Sequence, residues 1–511
     1  MTNISRWLLL IFILTGALAV SAQAEITLEA YTDEIFGLES VVPETWTEVS
    51  PGLYVRSAFE NDPTWIAQQA APVPANTALN ALLPQMGLTE APEPAGEREA
   101  NGLTWTLYET EVSIPVHASM DLALASFGGR TFLVALNAVP DERDALYEAV
   151  FLPAVDALRP WAGPEATDLP YAQEEVQIEN GDVTLAGTLT LPPGDGPHPA
   201  VVLVSGSGPQ DRDESLAPVS SIRPFRLIAD ALTRNGIAVL RYDDRGTAES
   251  TGDYNTATLH DFASDAQAAI DYLMSRDDID PEQVGILGHS EGGLVAAMLA
   301  AGDTDLAFLI ALAGPAVGGH ELLEVQNRRL METAGASEEQ IEGQLEFLRQ
   351  AFELVNVQDW GALETLLEDT VRDQIEDLPE SQRAVLGDVD AYVEQVLETQ
   401  METFRSDWFA SFLAYDPVED WQSVTIPVLA IFGGLDVQVD AEQNVPPLEA
   451  ALAVAENPDV TIVTIPNANH LFQEAITGGV QEYGMLEPDF TDELLPTIID
   501  WLAERVQVAT E

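Results

Sequence analysis

The sequence predicts an α/β protein: a mostly parallel sheet covered by helices on both faces, interrupted by a helical insertion and preceded by a small α+β domain. Three observations predict it. Beyond residue 176, apolar β-branched runs such as HPAVVLVSGSG and IPVLAIFGGLD alternate with amphipathic stretches such as RPFRLIADALTRNG. Strands that are apolar on both faces need cover on both faces, which crossover helices supply. Residues 319–412 lose the strand signal and keep only helical periodicity, whereas the residues before 158 show period-two alternation typical of half-buried strands.

In chain order, residues 1–24 read as an export signal: Arg6, the apolar run WLLLIFILTGALAV, and the small-x-small site AQA before Glu25. That run is shorter than the roughly 20 residues a membrane span needs. Export to the periplasm, cell surface or medium is the expectation, with no stable membrane insertion once the signal is removed; the alternative is an uncleaved membrane anchor. Residues 25–158 form the α+β domain. Leu103, Trp105 and Leu107 alternate in LTWTLYETEV, RTFLVALNAV is a second strand, and PDERDALYEAVFLPAVDAL has apolar residues at helical spacing. Residues 159–175 carry three prolines and few apolar side chains, and read as a linker.

The large domain spans residues 176–511. VQIENGDVTLAGTLTLP predicts a hairpin turning at Asn180-Gly181. Leu259, Phe262, Ala266, Ile270 and Leu273 share one helical face, and EQVGILG, FLIALAGPA and VTIVTIPNANH read as further strands. Within the insertion, Ser337 and Gln340 stand in capping-box register ahead of an amphipathic run. An insertion at this point of the chain is expected to act as a lid.

Composition narrows the function. The chain of 511 residues has 20 basic against 86 acidic residues, a formal charge of −66, and every basic residue is arginine. Such a field repels phosphate backbones, so no nucleic-acid partner is expected. With no cysteine, thiolate metal sites, disulfides and cysteine nucleophiles are excluded. No EF-hand spacing occurs among the acids, and neither a metal nor an organic cofactor is expected.

The chemistry concentrates around GILGHSEGG. A G-x-S-x-G pattern is short, but here a strand precedes it and EGGLVAAMLAAG follows as a helix rich in small residues. Glycines at 288, 292 and 293 permit a sharp turn that exposes the hydroxyl of Ser290. A serine becomes nucleophilic when a histidine takes its proton, and the histidine needs an anion to orient it. In sheet enzymes of this kind the acid and then the base come from later strand ends. LAIFGGLD delivers Asp436, and TIVTIPNANH delivers His470. Asp440 is the alternative acid and His320 the alternative base, but Asp436 directly follows its strand and His320 precedes the acid in the chain. His117, His198 and His260 lie away from these strand ends, and His289 reads as a packing or orienting residue. The oxyanion is expected to be held by the backbone N–H groups of Glu291 and Ser207, with Gly206 next in rank.

These motifs resemble α/β-hydrolases, and specifically bacterial EstD-type carboxylesterases of the dienelactone-hydrolase and serine-aminopeptidase-like group. The matching pieces are GSGPQDRDE, RYDDRGTAESTGD, GHSEGG, LAGPA and the Asp436 and His470 segments. The resemblance covers residues 176–508 and not the first domain. It implies an α/β-hydrolase fold, a lid formed by the insertion after LAGPA, and a structural role for Asp243, Asp244 and Arg245. Relatives usually carry His-Gly where this chain has Ser205-Gly206. The expected activity is hydrolysis of a small carboxylic ester through an acyl-enzyme. The alternatives are a peptidase, amidase or thioesterase on small substrates, and a non-catalytic binding protein on the same scaffold. Trp408, Phe409 and Phe412 are candidates to line an acyl pocket, although aromatic stripes at helical spacing are more often plain core.

Overall fold

The computed structural model describes residues 26–508 apart from short stretches, of which 113–117, 162–168 and 384–388 are the longest. The expected export signal and His117 lie outside the described residues. No helix among those described is long and apolar enough to cross a membrane.

The first domain is built on seven antiparallel strands, in the order Thr47–Ser50, Leu53–Val55, Trp65–Ala71, Arg130–Ala138, Ala118–Phe127, Leu103–Val112 and Pro94–Ala100. Both faces are covered. Leu103 and Trp105 point with Phe132 and Phe151 into one core, while Trp65, Leu122 and Leu133 meet the helix Ala75–Leu82 in the other. A second, three-stranded sheet joins Leu28–Asp33, Leu38–Pro43 and Arg159–Pro160. The expected linker is therefore shorter than 159–175. Arg159 and Pro160 pair with Glu39 and Leu38, and the next sheet starts at Ala172. Gln173 to Glu175 mimic a linker because an edge strand turns polar side chains to water.

The large sheet has eight strands: β1 (Ala172–Asn180), β2 (Val183–Leu191), β3 (His198–Val204), β4 (Ala238–Tyr242), β5 (Ile279–His289), β6 (Leu309–Leu312), β7 (Val428–Gly433) and β8 (Val460–Ile465). Their order is β1-β2-β4-β3-β5-β6-β7-β8, parallel from β4 to β8 and antiparallel at the β1–β2 and β2–β4 pairs. Strand β3 lies between β4 and β5, so the connections diverge there. A crevice opens at the carboxyl ends of the strands at such a point. The register aligns those ends: Val204 pairs with Gly288, His289 with Leu312, and Leu312 with Ile431.

The helix Glu291–Ala301 lies directly on the sheet backbone. A side chain at Gly288 would begin 2.0 Å from the Gly292 carbonyl oxygen, and one at Gly292 would begin 2.1 Å from that of Val204. Any larger residue would push the helix away and widen the turn that holds Ser290.

Residues 319–414 form five described helices: Gly319–Thr333, Glu338–Asn356, Trp360–Glu376, Val389–Arg405 and Asp407–Ala414. Ser337 and Gln340 make the reciprocal capping bonds that their register predicts. These helices enclose their own core around Leu348, Phe352, Leu363 and Phe404. They are tied to the sheet domain by Arg329 Nε to Asp440 Oδ2 at 2.7 Å and by the Leu259 N–H to Ser411 Oγ at 3.2 Å.

The two domains meet at a cluster of charge. Gly37, with φ of 58°, has no side chain, and the space is taken by guanidinium groups of Arg130 and Arg223. Arg130 belongs to the first domain, and the acids whose charge acts on it are Asp211 and Asp213 of the second. Arg241 makes an ion pair with Asp213.

Candidate active site

Ser290 follows β5 at the start of the helix Glu291–Ala301, with φ of 54° and ψ of −119°. A non-glycine residue in this region is strained and survives only where its surroundings dictate it. Here the Ser290 N–H donates to the Leu312 carbonyl at 2.8 Å, and the serine carbonyl accepts from Gly293 at 2.8 Å. Ser290 is half-buried at this turn.

Asp436 leaves the end of β7 completely enclosed. Its Oδ1 accepts the N–H groups of Gln438 at 2.7 Å and Val439 at 2.9 Å. Its Oδ2 is thereby aimed at His470 Nδ1, 2.8 Å away. His470 sits in the loop after β8, shaped by Asn469, whose Oδ1 accepts from Leu471 and Gln473. The His470 ring lies against that of His289, the neighbour of Ser290, with centroids 4.8 Å apart. Asp436 and His470 thus form a hydrogen-bonded pair, and the ring of His470 packs on that of His289, the residue before Ser290.

The alternatives are engaged elsewhere. Asp440 caps the helix Ala441–Val454 through Gln443 N–H and holds Arg329. His320 packs edge-on against Phe352 and faces Asn356 at 3.1 Å within the insertion. His260 is exposed on its helix, and His198 is buried at the start of β3.

On the other side of Ser290 runs the loop after β3. A side chain at Gly206 would begin 3.2 Å from the Ser290 Cβ. The Gly206 N–H donates to Glu214 Oε1 at 2.9 Å, and that of Gly208 donates to the Tyr254 hydroxyl at 2.7 Å. Gly206, second in rank from sequence, is therefore unavailable to an oxyanion. Between these two engaged groups, the Ser207 N–H has no hydrogen-bond partner among the described residues.

Buried acids surround this loop. Asp244 accepts from Ser205 Oγ at 2.7 Å and from Gln210 N–H at 2.9 Å. Burial pushes its carboxyl well above the usual range, against the pull of the Ser205 hydroxyl. Asp243 binds Arg212 through both oxygens, and Arg245 binds Asp265, so the RYDDRG segment fixes loops by charge-assisted bonds. Glu291 is also enclosed, and burial raises it to about 7 although Trp408 Nε1 donates to it at 2.7 Å.

The aromatic residues follow the core alternative rather than the acyl pocket. Phe409 packs inside the insertion against Phe352 and Phe404, and Phe412 belongs to the main core. Trp408 bridges the two bodies and stacks on Phe412. Sequence reasoning also missed Glu214, which joins Gly206 to His289 Nδ1 at 2.7 Å. The signal was its place in GSGPQDRDE, just beyond Gly206 and Gly208.

Comparison with known proteins matches residues 201–475 to a family described as the alpha/beta hydrolase family. Esterase EstD of Thermotoga maritima is 31% identical over 307 residues, which are 60% of this chain and 62% of that protein. The alignment therefore spans less than two thirds of EstD. The quorum-quenching protein AidA of Acinetobacter baumannii is 32% identical over 151 residues, 29% of this chain and 46% of its own. Among solved structures, an esterase from Pyrococcus furiosus aligns with a TM-score of 0.42 at 18% identity, covering 68% of this chain and 96% of its own.

Proposed function

The chain belongs to the α/β-hydrolase family, and from that premise we propose that it is a serine esterase cleaving small carboxylic esters through an acyl-enzyme. The observation that carries the reading is the hydrogen-bonded pair His470 and Asp436, whose imidazole packs on His289, the neighbour of Ser290 on its strained turn. The name of its EstD relative supports ester over other acyl substrates.

The mechanism follows from the donors and acceptors. Asp436 Oδ2 accepts the proton on His470 Nδ1, which leaves Nε2 as the basic nitrogen. Nε2 takes the Ser290 proton as Oγ attacks the ester carbonyl. Asp436 stabilises the imidazolium that forms, and the imidazolium then protonates the departing alcohol. Water repeats the sequence on the acyl-enzyme, with His470 again as base. Charge on the tetrahedral oxygen falls to the N–H groups of Glu291 and Ser207; one such donor is worth ~10²–10³ in rate. The helices of residues 319–414 act as the lid, with Trp408 seated on the carboxyl of Glu291. Because that carboxyl is enclosed and occupied, it is not free to hold a substrate ammonium group, which favours an ester over a peptide amine.

The test uses short-chain nitrophenyl esters and a fluorophosphonate probe. Wild type should hydrolyse the ester and be labelled at Ser290. Ser290→Ala and His470→Ala should each fall by about 10⁴-fold or more, with circular dichroism unchanged, while His320→Ala should keep full activity. An active, labelled Ser290→Ala protein would remove the assignment.

A further inference from the structure

Resting on the serine-esterase reading, we propose that Glu214 and His289 form a buried positioning couple that locks the oxyanion-side loop to the loop carrying His470.

The couple begins with a tight turn. Asp211 Oδ1 accepts the N–H groups of Asp213 at 3.1 Å and Ser215 at 3.0 Å, and Glu214 N–H donates to the Asp211 carbonyl at 2.8 Å. This forces Glu214 to φ of 56° and turns its side chain inward, where it is 2% exposed. Its Oε1 then serves two donors, Gly206 N–H at 2.9 Å and His289 Nδ1 at 2.7 Å. The far nitrogen of the same ring, His289 Nε2, lies 2.9 Å from the His470 carbonyl oxygen. One carboxylate and one ring thus join three backbone segments: the loop after β3, the turn at Ser290 and the loop after β8.

Proton counting gives the couple its character. The His470 carbonyl can only accept, so His289 Nε2 donates to it; Nδ1 must donate as well when it faces a Glu214 carboxylate, yet a neutral imidazole has a single N–H. The arrangement is satisfied when His289 carries both protons and Glu214 is ionised. Burial works to lower the His289 imidazole, but the adjacent Glu214 holds it above its ordinary value. A buried ion pair contributes little net stability by itself, and Glu214 Oε2 is buried with no partner among the described residues. What the couple supplies is placement. By engaging Gly206 it sets the direction of the Ser207 N–H, and by engaging the His470 carbonyl it sets the height of the imidazole relative to Ser290. Misplacement of reacting groups by about 1 Å costs on the order of 10² in rate.

The experiment compares the full-length wild type with Glu214→Gln, which keeps the shape and removes the charge. Proton-detected nitrogen NMR of histidine-labelled protein reads the six rings directly. The His289 ring of wild type should show two protonated nitrogens, and Glu214→Gln should reduce this to one. In parallel, kcat for the nitrophenyl ester should fall about 10- to 100-fold with KM held within about threefold, and fluorophosphonate labelling of Ser290 should slow to match. A singly protonated His289 in wild type would overturn the proposal, as would unchanged kcat and labelling in Glu214→Gln. Should the variant fail to fold, the wild-type spectrum decides alone. Failure of the esterase reading has a different signature: no turnover and no labelling of wild type, whatever the state of His289.

Discussion

Asp436 and Asp440 follow the same strand and carry different duties, and the difference lies in what each oxygen touches. The Asp436 carboxylate gives one oxygen to two backbone N–H groups and the other to His470. Asp440 divides itself between a helix cap and Arg329. Asp436→Asn is therefore expected to lower kcat by about 10⁴ through loss of the correct imidazole tautomer, with the unfolding midpoint little changed. Asp440→Ala should keep turnover but lose about 1 kcal/mol of stability from the cap, read from urea unfolding. The three residues of the proposed triad were legible because each lies just beyond an apolar strand, where local pattern and chemistry coincide. Glu214 was not, because its partner His289 lies 75 positions along the chain and only the folded sheet brings them together.

At the scale of elements, the helical insertion was legible in outline and not in detail. Capping at Ser337 and helical periodicity defined its helices, yet periodicity says only that an aromatic residue faces inward, not which of two cores receives it. Trp408 found its partner Glu291 at a separation of 117 residues. That contact carries a prediction. Burial raises the Glu291 carboxyl from its ordinary 4.5 to about 7 in the folded protein. Between these values the folded state holds a proton that the unfolded chain has released. The stabilising contribution of the protonated form is full below about 4.5 and is lost as pH rises through 7. The shift corresponds to about 3 kcal/mol. Glu291→Gln should remove this component, so the difference in unfolding free energy between wild type and variant should change by that order between pH 4 and pH 8. A difference that stays flat across the range would contradict it.

At the scale of the whole molecule, 20 arginines face 86 acidic residues, so where the cations are placed matters. Three of them gather where the domains meet. Burial works to raise Asp213, but Arg241 and Arg223 hold it below its ordinary range. Burial and Asp213 raise Asp211, and Arg130 of the first domain draws it back. The loop so neutralised is the one that bears Glu214. Arg130→Ala is expected to cost at least about 2 kcal/mol of stability by leaving buried acids short of a counter-charge, and to speed hydrogen exchange in residues 205–215. Equal exchange in variant and wild type would show that the loop holds itself. The guanidinium of Arg130 works as a plug supplied by one half of the chain to a socket in the other. A chimera that grafted the eight-stranded half onto a foreign carrier would keep Arg223 and Arg241 beside Asp213 but lose the cation that draws Asp211 back.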